Sequence, residues 1–308
     1  MQDSNVAGRS EVISYFCAFI FVVLMVGISE VYVDREIILP EVSAMAVALW
    51  VYRDQRWMIH SEKIFLWPTA TALLGFGINI LSIPFFAKLT LVLGGMLMFF
   101  LIFRYSLAPA LATGFLPVVT DATGGSFLIS ILVTTLILML VVMVFGLRTK
   151  HERSANVRPE LLVVYALIVL VSITGASLLG YPHLAVLPPV AVVVYEALHA
   201  QMYSWKVLLK QTMALTVAAI VGVAAHWFFD GWLVVALVCL PLMWLVLWQL
   251  GMRMPALYAF PLLVSVFPQH AVLLIPMATL LVTLLSLSLV LSYHVVKKRR
   301  SLSALSNM

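Results

Sequence analysis

Two short apolar segments, 107–119 and 255–267, carry the residues whose pattern could support chemistry. The interruptions are Pro109, Gly114 and Pro117 in the first segment, and Pro255 and Pro261 in the second. A straight helix needs about 20 residues to cross a bilayer, and an internal proline breaks it. Backbone groups freed in this way are tolerated at membrane depth only where they face protein or a wet cavity. The pair therefore predicts a binding site; the alternative is two ordinary proline-kinked packing helices.

Charged and polar residues near these segments are further candidates for the site. Arg104 and Arg253 directly precede the segments, where an arginine beside a helix N-terminus favours an anion. Glu41 follows a proline that starts a helix, and it is the best candidate for a coupling proton. The alternatives are arginines that anchor helix ends at the surface and a glutamate that satisfies helix donors. Four more polar positions complete the set: Thr113 and Thr120 beside the prolines, and Asn79 and His226 at corresponding intramembrane places.

The amino-acid composition indicates which kind of fold positions these residues. Hydrophobic residues make up 64% of the 308 and charged residues 10%, against roughly 45–50% and 25% in soluble domains. The apolar residues form blocks long enough for transmembrane helices, which predicts an all-α, polytopic helical bundle rather than a barrel. The net charge of +5 is spread between the blocks, so we expect no nucleic-acid partner. Both cysteines fall inside apolar blocks, which indicates neither a disulfide nor a metal site.

The apolar blocks fall into two sets of six, which predicts about 12 spans. They are 12–33, 37–52, 64–83, 89–103, 107–119 and 127–147, then 161–179, 184–197, 207–229, 232–250, 255–267 and 271–295. Landmarks recur at a nearly constant offset: Pro40 and Pro188 are 148 residues apart, and Gly75 and Gly222 are 147 apart. We therefore divide the chain into a first repeat (1–147), a cytoplasmic linker (148–160), a second repeat (161–296) and a basic cytoplasmic tail (297–308).

The basic residues predict the orientation. Twelve crossings with a cytoplasmic N-terminus leave only Arg35 and Lys88, of 18 Lys and Arg residues, outside. If the fifth segment of each half were re-entrant, the second half would be inverted and the basic residues would divide evenly. The positive-inside rule favours parallel six-span repeats with both termini in the cytoplasm. We therefore expect a multi-pass protein of the inner (cytoplasmic) membrane.

The sequence also resembles a known family. The stretch 180–191, which contains Pro188 and Pro189, followed by 205–222, resembles the start of the HPP family of integral membrane proteins, and 39–44 looks like a second copy. The family's His-Pro-Pro is absent at the matching place, where the chain has Arg-Met-Pro-Ala at 253–256. The six-span layout is also similar to that of the fusaric-acid resistance and aromatic-acid exporter families. Both resemblances imply transport of small, anionic solutes, nitrite-like for some HPP members and carboxylates for the exporters.

These observations favour a transporter of a small, anionic solute with its site between the two halves. The sequence has no zinc-protease, nucleophile-elbow or Walker A motif, so we expect neither an enzyme nor a cofactor. The expected partners are the lipid bilayer and a small-molecule or ionic substrate, with a homo-oligomer left open. Two alternatives stay open: a membrane accessory or scaffold subunit that transports nothing, and a membrane-embedded enzyme.

Overall fold

The computed structural model of the chain is helical, with no strand in the described residues. It describes the backbone of 2–147 and 157–306, and the side chains of 11–147 and 157–299. The N-terminal helices are α1 (Gln2–Tyr32), α2 (Pro40–Ala46), α3 (Gln55–Met58), α4 (Ser61–Asn79), α5 (Phe85–Phe103), α6 (Ala108–Val119) and α7 (Gly125–Val144). The C-terminal helices are α8 (Pro159–Leu178), α9 (Pro188–His199), α10 (Trp205–Phe228), α11 (Trp232–Leu250), α12 (Ala259–Val266), α13 (Gln269–Val272) and α14 (Ile275–Ser306).

Three short 3-10 turns and one π-helical turn complete the secondary structure. The 3-10 turns are Arg35–Ile37, Pro182–Leu184 and Pro255–Tyr258, and the π turn Val47–Val51 continues α2 directly. Helix α8 begins at Pro159, within the last residues assigned to the predicted linker. Its residues 148–156 lie outside the described part of the chain. The predicted tail begins as a continuation of α14.

The protein is a membrane protein by the length and composition of its helices. Eight helical stretches of the described chain are long and apolar enough to cross a bilayer. They are Glu11–Tyr32, Phe85–Phe103, Gly125–Val144, Pro159–Leu178, Pro182–His199, Trp205–Phe228, Trp232–Leu250 and Ile275–Arg299. Two shorter apolar helices, Ala108–Val119 and Pro255–Val266, coincide with the interrupted segments of the sequence.

The long helices present apolar side chains outward as well as inward. On α7, for example, Ile129, Val133 and Leu140 are exposed, while Ile131 and Leu138 on the other side are buried. A helix that is apolar all round is stable where its outer side meets lipid rather than water. Three short helices behave differently, because every residue of α2, α6 and α12 is buried. The long helices therefore enclose these three.

Contacts in the two halves of the chain follow one pattern. In the first half α4 packs against α6 and α7, and in the second α10 packs against α12 and α14. Between the halves, α1 packs against α11 while α5 packs against α8. In the centre α2 packs against α12 while α6 packs against α9. Each of these contacts thus recurs between the corresponding helices of the other half.

Two glycines let the short helices approach their neighbours closely. A Cβ built on Gly75 of α4 would lie 2.0 Å from the carbonyl oxygen of Gly114 on α6. A Cβ built on Gly222 of α10 would lie 3.0 Å from the Cα of Pro261 on α12. Gly222 follows Gly75 by 147 residues, and Pro261 follows Gly114 by the same 147. The same close helix contact therefore occurs at corresponding residues.

Candidate functional site

Four proline-started segments converge on one small buried space, which we call the central cavity. Each begins with or just before a proline: α2 at Pro40, α6 at Pro109, α9 at Pro188 and the 3-10 turn before α12 at Pro255. The cavity is lined by Pro40, Glu41, Ala44, Trp57, Pro109, Ala112, Pro188, Pro189, Val192, Ala256 and Ala259. Its volume is about 20 Å³, room for one water-sized molecule.

Local sequence explains why helices begin here. Proline has no backbone N–H and a φ already suited to a helix, so it favours the first helical turn, where N–H groups lack partners. The preceding N-cap residues, Leu39, Leu107, Leu187 and Met254, are apolar, and none caps its helix with a side-chain hydrogen bond. The partial positive charge of these helix ends is thus not neutralised by a cap.

Glu41 is the one ionisable residue in the wall of the central cavity. Its side chain is 3% exposed, and neither carboxylate oxygen has a hydrogen-bond partner in the described part of the chain. A buried, unpaired carboxylate is costly, so Glu41 favours the neutral acid or requires a bound partner. The site can therefore hold a proton in a wall that otherwise offers apolar side chains and positive helix ends.

The lining residues pair across the two halves of the sequence. Pro40, Glu41 and Ala44 correspond to Pro188, Pro189 and Val192 at an offset of 148. Ala112 of α6 corresponds in the same way to Ala259 of α12 at an offset of 147. The wall is thus built twice from matching positions, but only one of the two halves supplies a carboxylate.

Two larger cavities lie on either side of the central one. The first, about 280 Å³, lies at the C-terminal ends of α6 and α12, and Arg35, Glu36, Thr120 and Asp121 contribute polar groups to it. The second, about 230 Å³, lies at the C-terminal end of α11 beside Tyr52, which follows the π turn of α2. We call them the α6-end cavity and the α11-end cavity.

Hydrogen bonds of charged side chains fix the loops around these cavities. The Glu36 carboxylate accepts hydrogen bonds from the backbone N–H groups of Thr123 (2.9 Å) and Gly124 (2.7 Å), where α7 begins. The Lys88 ammonium donates to the backbone carbonyl of Asn79 at the end of α4. The Arg253 guanidinium lies 5.8 Å from the ring centre of Tyr52 and contributes to the α11-end cavity.

The structure brings some predicted site residues together and places others apart. Pro109 and Glu41 share the central cavity, and Pro255 directly precedes its lining residue Ala256. Thr120 lines the α6-end cavity instead. Arg104 is exposed at the C-terminal end of α5 and lines neither the central nor the two flanking cavities.

The remaining predicted residues hold helices in contact. The Thr113 hydroxyl is 2.8 Å from the Thr71 hydroxyl of α4, and both are buried. Gly114 and Pro117 lie against Gly75 of α4, and Pro261 lies against Gly222 of α10. The buried Asn79 amide donates to the carbonyl of Ala122 (3.0 Å), and His226 is half-buried near the end of α10.

Trp57 and the proline pair of α9 line the central cavity but were not predicted as site residues. The prolines carried a usable signal, because Leu-Pro recurs at 39–40 and 187–188. Trp57 carried no such signal, since its position depends on the interruption of the helix between α3 and α4. No family model, curated protein or solved structure matches this chain.

Proposed function

We propose that this protein is a membrane transporter for a small anion, and that the central cavity is its binding site. The observation that carries the proposal is the unpaired carboxyl group of Glu41, buried where four proline-started segments converge. An intramembrane ionisable group without a partner is costly, and such groups mark substrate or proton pathways.

The electrostatics of the wall favour an anion that travels with a proton. Helices α6 and α9 contain 12 residues each, and both begin at the cavity without a side-chain cap. Their N-terminal ends attract negative charge, whereas an ionised Glu41 would repel it. Protonation of Glu41 removes that repulsion, so anion and proton bind together and leave together.

The cavities on both sides suit alternating access. A carrier opens its binding site to one side of the membrane at a time, and here the central cavity is closed while larger cavities lie on either side. In this closed form the central cavity has a volume of about 20 Å³, room for one water-sized molecule, so a larger solute requires the cavity to widen. We place the α6-end cavity on the outer side and the α11-end cavity on the cytoplasmic side.

We further propose twelve crossings in two parallel six-span repeats, with both termini in the cytoplasm. Beyond the eight long helices, the additional crossings are α4, α2 with its π turn, α6 with the extended residues before it, and α12 with the 3-10 turn before it. The matched helix contacts and the matched close contacts of Gly75 and Gly222 support the duplication. The distribution of basic residues supports the orientation.

The test is tracer flux into proteoliposomes, with current recording on a solid-supported membrane beside it, because a monovalent anion that moves with one proton carries no net charge and gives no current. The panel contains nitrite, nitrate, small carboxylates and aromatic acids, each applied with and without a pH gradient. We expect saturable tracer uptake of a small anion, and we expect this uptake to grow when the outside is acidic. If folded protein gives neither current nor tracer flux with any of them, the transport proposal is wrong and the accessory-subunit alternative replaces it.

A further inference from the structure

Trp57 lines the central cavity, but the residue at the corresponding place in the second half of the chain does not. Ten of the eleven lining residues belong to the four proline-started segments, and Trp57 alone comes from α3. It is also the largest side chain in the wall and is only 5% exposed. Its counterpart at an offset of 148 is Trp205, which is 54% exposed and lines no cavity described above.

A break in one helix accounts for the difference between the two tryptophans. In the second half Trp205 is the first residue of the continuous helix α10. In the first half the corresponding residues form the separate four-residue helix α3, and α4 starts again at Ser61 after non-helical His60. Arg53, just before α3, has a φ of 50°, a conformation that costs a non-glycine residue energy. The chain is therefore redirected here, and the redirection turns Trp57 into the cavity.

Contacts from three other elements hold α3 in this position. The Arg56 guanidinium pairs with Asp54 (2.5 Å) and lies 4.0 Å from Glu196 on α9, in the other half of the chain. The hydroxyl of Tyr105, before α6, donates to the Arg56 carbonyl at 3.5 Å. The Gln55 amide donates to the carbonyl of Leu147, after α7, at 3.4 Å. The hydrogen bond to Asp54 raises the pKa of Arg56 above its ordinary value, so its charge persists.

The ion pair with Glu196 links α3 weakly to the other half of the chain. The Arg56 side chain is 61% exposed and that of Glu196 is 23% exposed, so the pair contributes weakly and breaks readily. Both residues lie near the ends of helices that start at the central cavity, α2 and α9. Helix α3 thus covers the cavity on the side where these two helices end.

We propose that Trp57, carried by α3, closes the central cavity on that side and sets the size of the solute it admits. Its role in setting the solute size (the size function) rests on the proposed transport. Its role in closing the cavity (the closing function) does not. A small ring-free side chain at position 57 would leave the cavity open toward α3. Larger anions would then fit beside Glu41.

The closing function is tested by thiol labelling. Ala112→Cys places a reactive group in the cavity wall, in a background of Cys17→Ser and Cys239→Ala. Sealed vesicles of each orientation are exposed to a membrane-impermeant maleimide, and the labelling rate is measured with Trp57 present or replaced by alanine. We expect Trp57→Ala to raise the rate at least about tenfold, corresponding to about 1.4 kcal/mol of gate stabilisation, from one side only.

Matched variants make this result specific. Trp205→Ala, at the corresponding position outside the cavity, should leave the rate unchanged, and Trp57→Phe, which keeps a ring, should label slowly. Arg56→Gln should raise the rate by at most about fivefold, because it removes only a weak ion pair. If Trp57→Ala does not fold, Trp57→Leu and Arg56→Gln carry the test. An unchanged rate in folded Trp57→Ala or Trp57→Leu, or an equal rise from both sides, overturns the proposal.

The size function is tested by competition among anions of increasing size, from nitrite to benzoate. In Trp57→Ala the size cut-off should move to larger anions, whereas in Trp205→Ala it should match that of the unmodified protein. An unmoved cut-off with faster labelling would leave Trp57 as a gate and refute its role in selectivity. If no variant transports any anion, the proposed function fails, while the labelling result still decides whether Trp57 closes the cavity.

Discussion

Replacing Gly75 by alanine tests the contact that brings α6 to the central cavity. The new Cβ would lie 2.0 Å from the Gly114 carbonyl oxygen, and real Cβ contacts essentially never fall below 3.0 Å. The two helices must therefore separate by about 1 Å at this point. Overpacking costs about 1–3 kcal/mol, and we expect the upper end because the obstacle is backbone rather than a flexible side chain. Alanine returns about 1 kcal/mol of helix propensity, which leaves a net loss of about 2 kcal/mol.

Gly77 provides a control in the same helix. A Cβ at Gly77 would meet nothing within 4 Å, so Gly77→Ala should gain up to about 1 kcal/mol. The two alanine variants should therefore differ by about 3 kcal/mol, with Gly222→Ala between them because its nearest atom is 3.0 Å away. Thermal unfolding in detergent is followed by the fluorescence of the eight tryptophans. We expect melting temperatures that differ by roughly 6 °C or more between the Gly75 and Gly77 variants. Equal melting temperatures would refute the close packing of α4 on α6.

Three further predictions address polar contacts and topology. Thr113→Val removes the buried hydrogen bond to Thr71 and should lower the free energy of unfolding by about 1 kcal/mol, measured by the same melting assay. Glu36→Gln weakens the charged cap at the start of α7 and should cost about 1 kcal/mol in that assay, more at low than at high salt. Single cysteines at Ile80 and Asp230, at the ends of α4 and α10, should both label from outside an intact cell, because parallel repeats place these ends on one side. Labelling from opposite sides would indicate inverted repeats.

The membrane class and the helical segments could be predicted from the sequence because both depend on local composition. Blocks of about 20 apolar residues form helices in any arrangement that excludes water. The starts of the short helices could be predicted as well, since Pro40, Pro109 and Pro188 act on their own first turns. Twelve crossings and their orientation remain predictions.

The convergence of the short helices could only be anticipated in part. Pro109 and Glu41 were predicted as site residues, and the structure places both in the central cavity. Their proximity depends on packing among residues far apart in the chain, which no local pattern encodes. Arg104 illustrates the limit: it immediately precedes the segment of α6, yet the chain between them turns and leaves it on the surface.

Trp57 could not have been predicted from its own sequence context. Trp57 and Trp205 occupy matching places in the two halves, yet one is buried and the other exposed. The difference arises from the separate helix α3 and from contacts with Glu196, Tyr105 and Leu147, which lie 49 to 140 residues away. Tertiary contacts of this kind override the local preference for a continuous helix.

We propose Glu41 as the proton-carrying group of the central cavity, and one comparison of variants tests this role directly. Glu41→Gln should be compared with Glu160→Gln, since both glutamates directly follow a proline at a helix start but Glu160 is exposed. Anion accumulation driven by a pH gradient and anion exchange without a gradient are measured in the same proteoliposomes. We predict that Glu41→Gln loses accumulation but keeps exchange, whereas Glu160→Gln behaves as the unmodified protein. Undiminished pH-driven accumulation in Glu41→Gln would show that Glu41 does not carry the coupled proton.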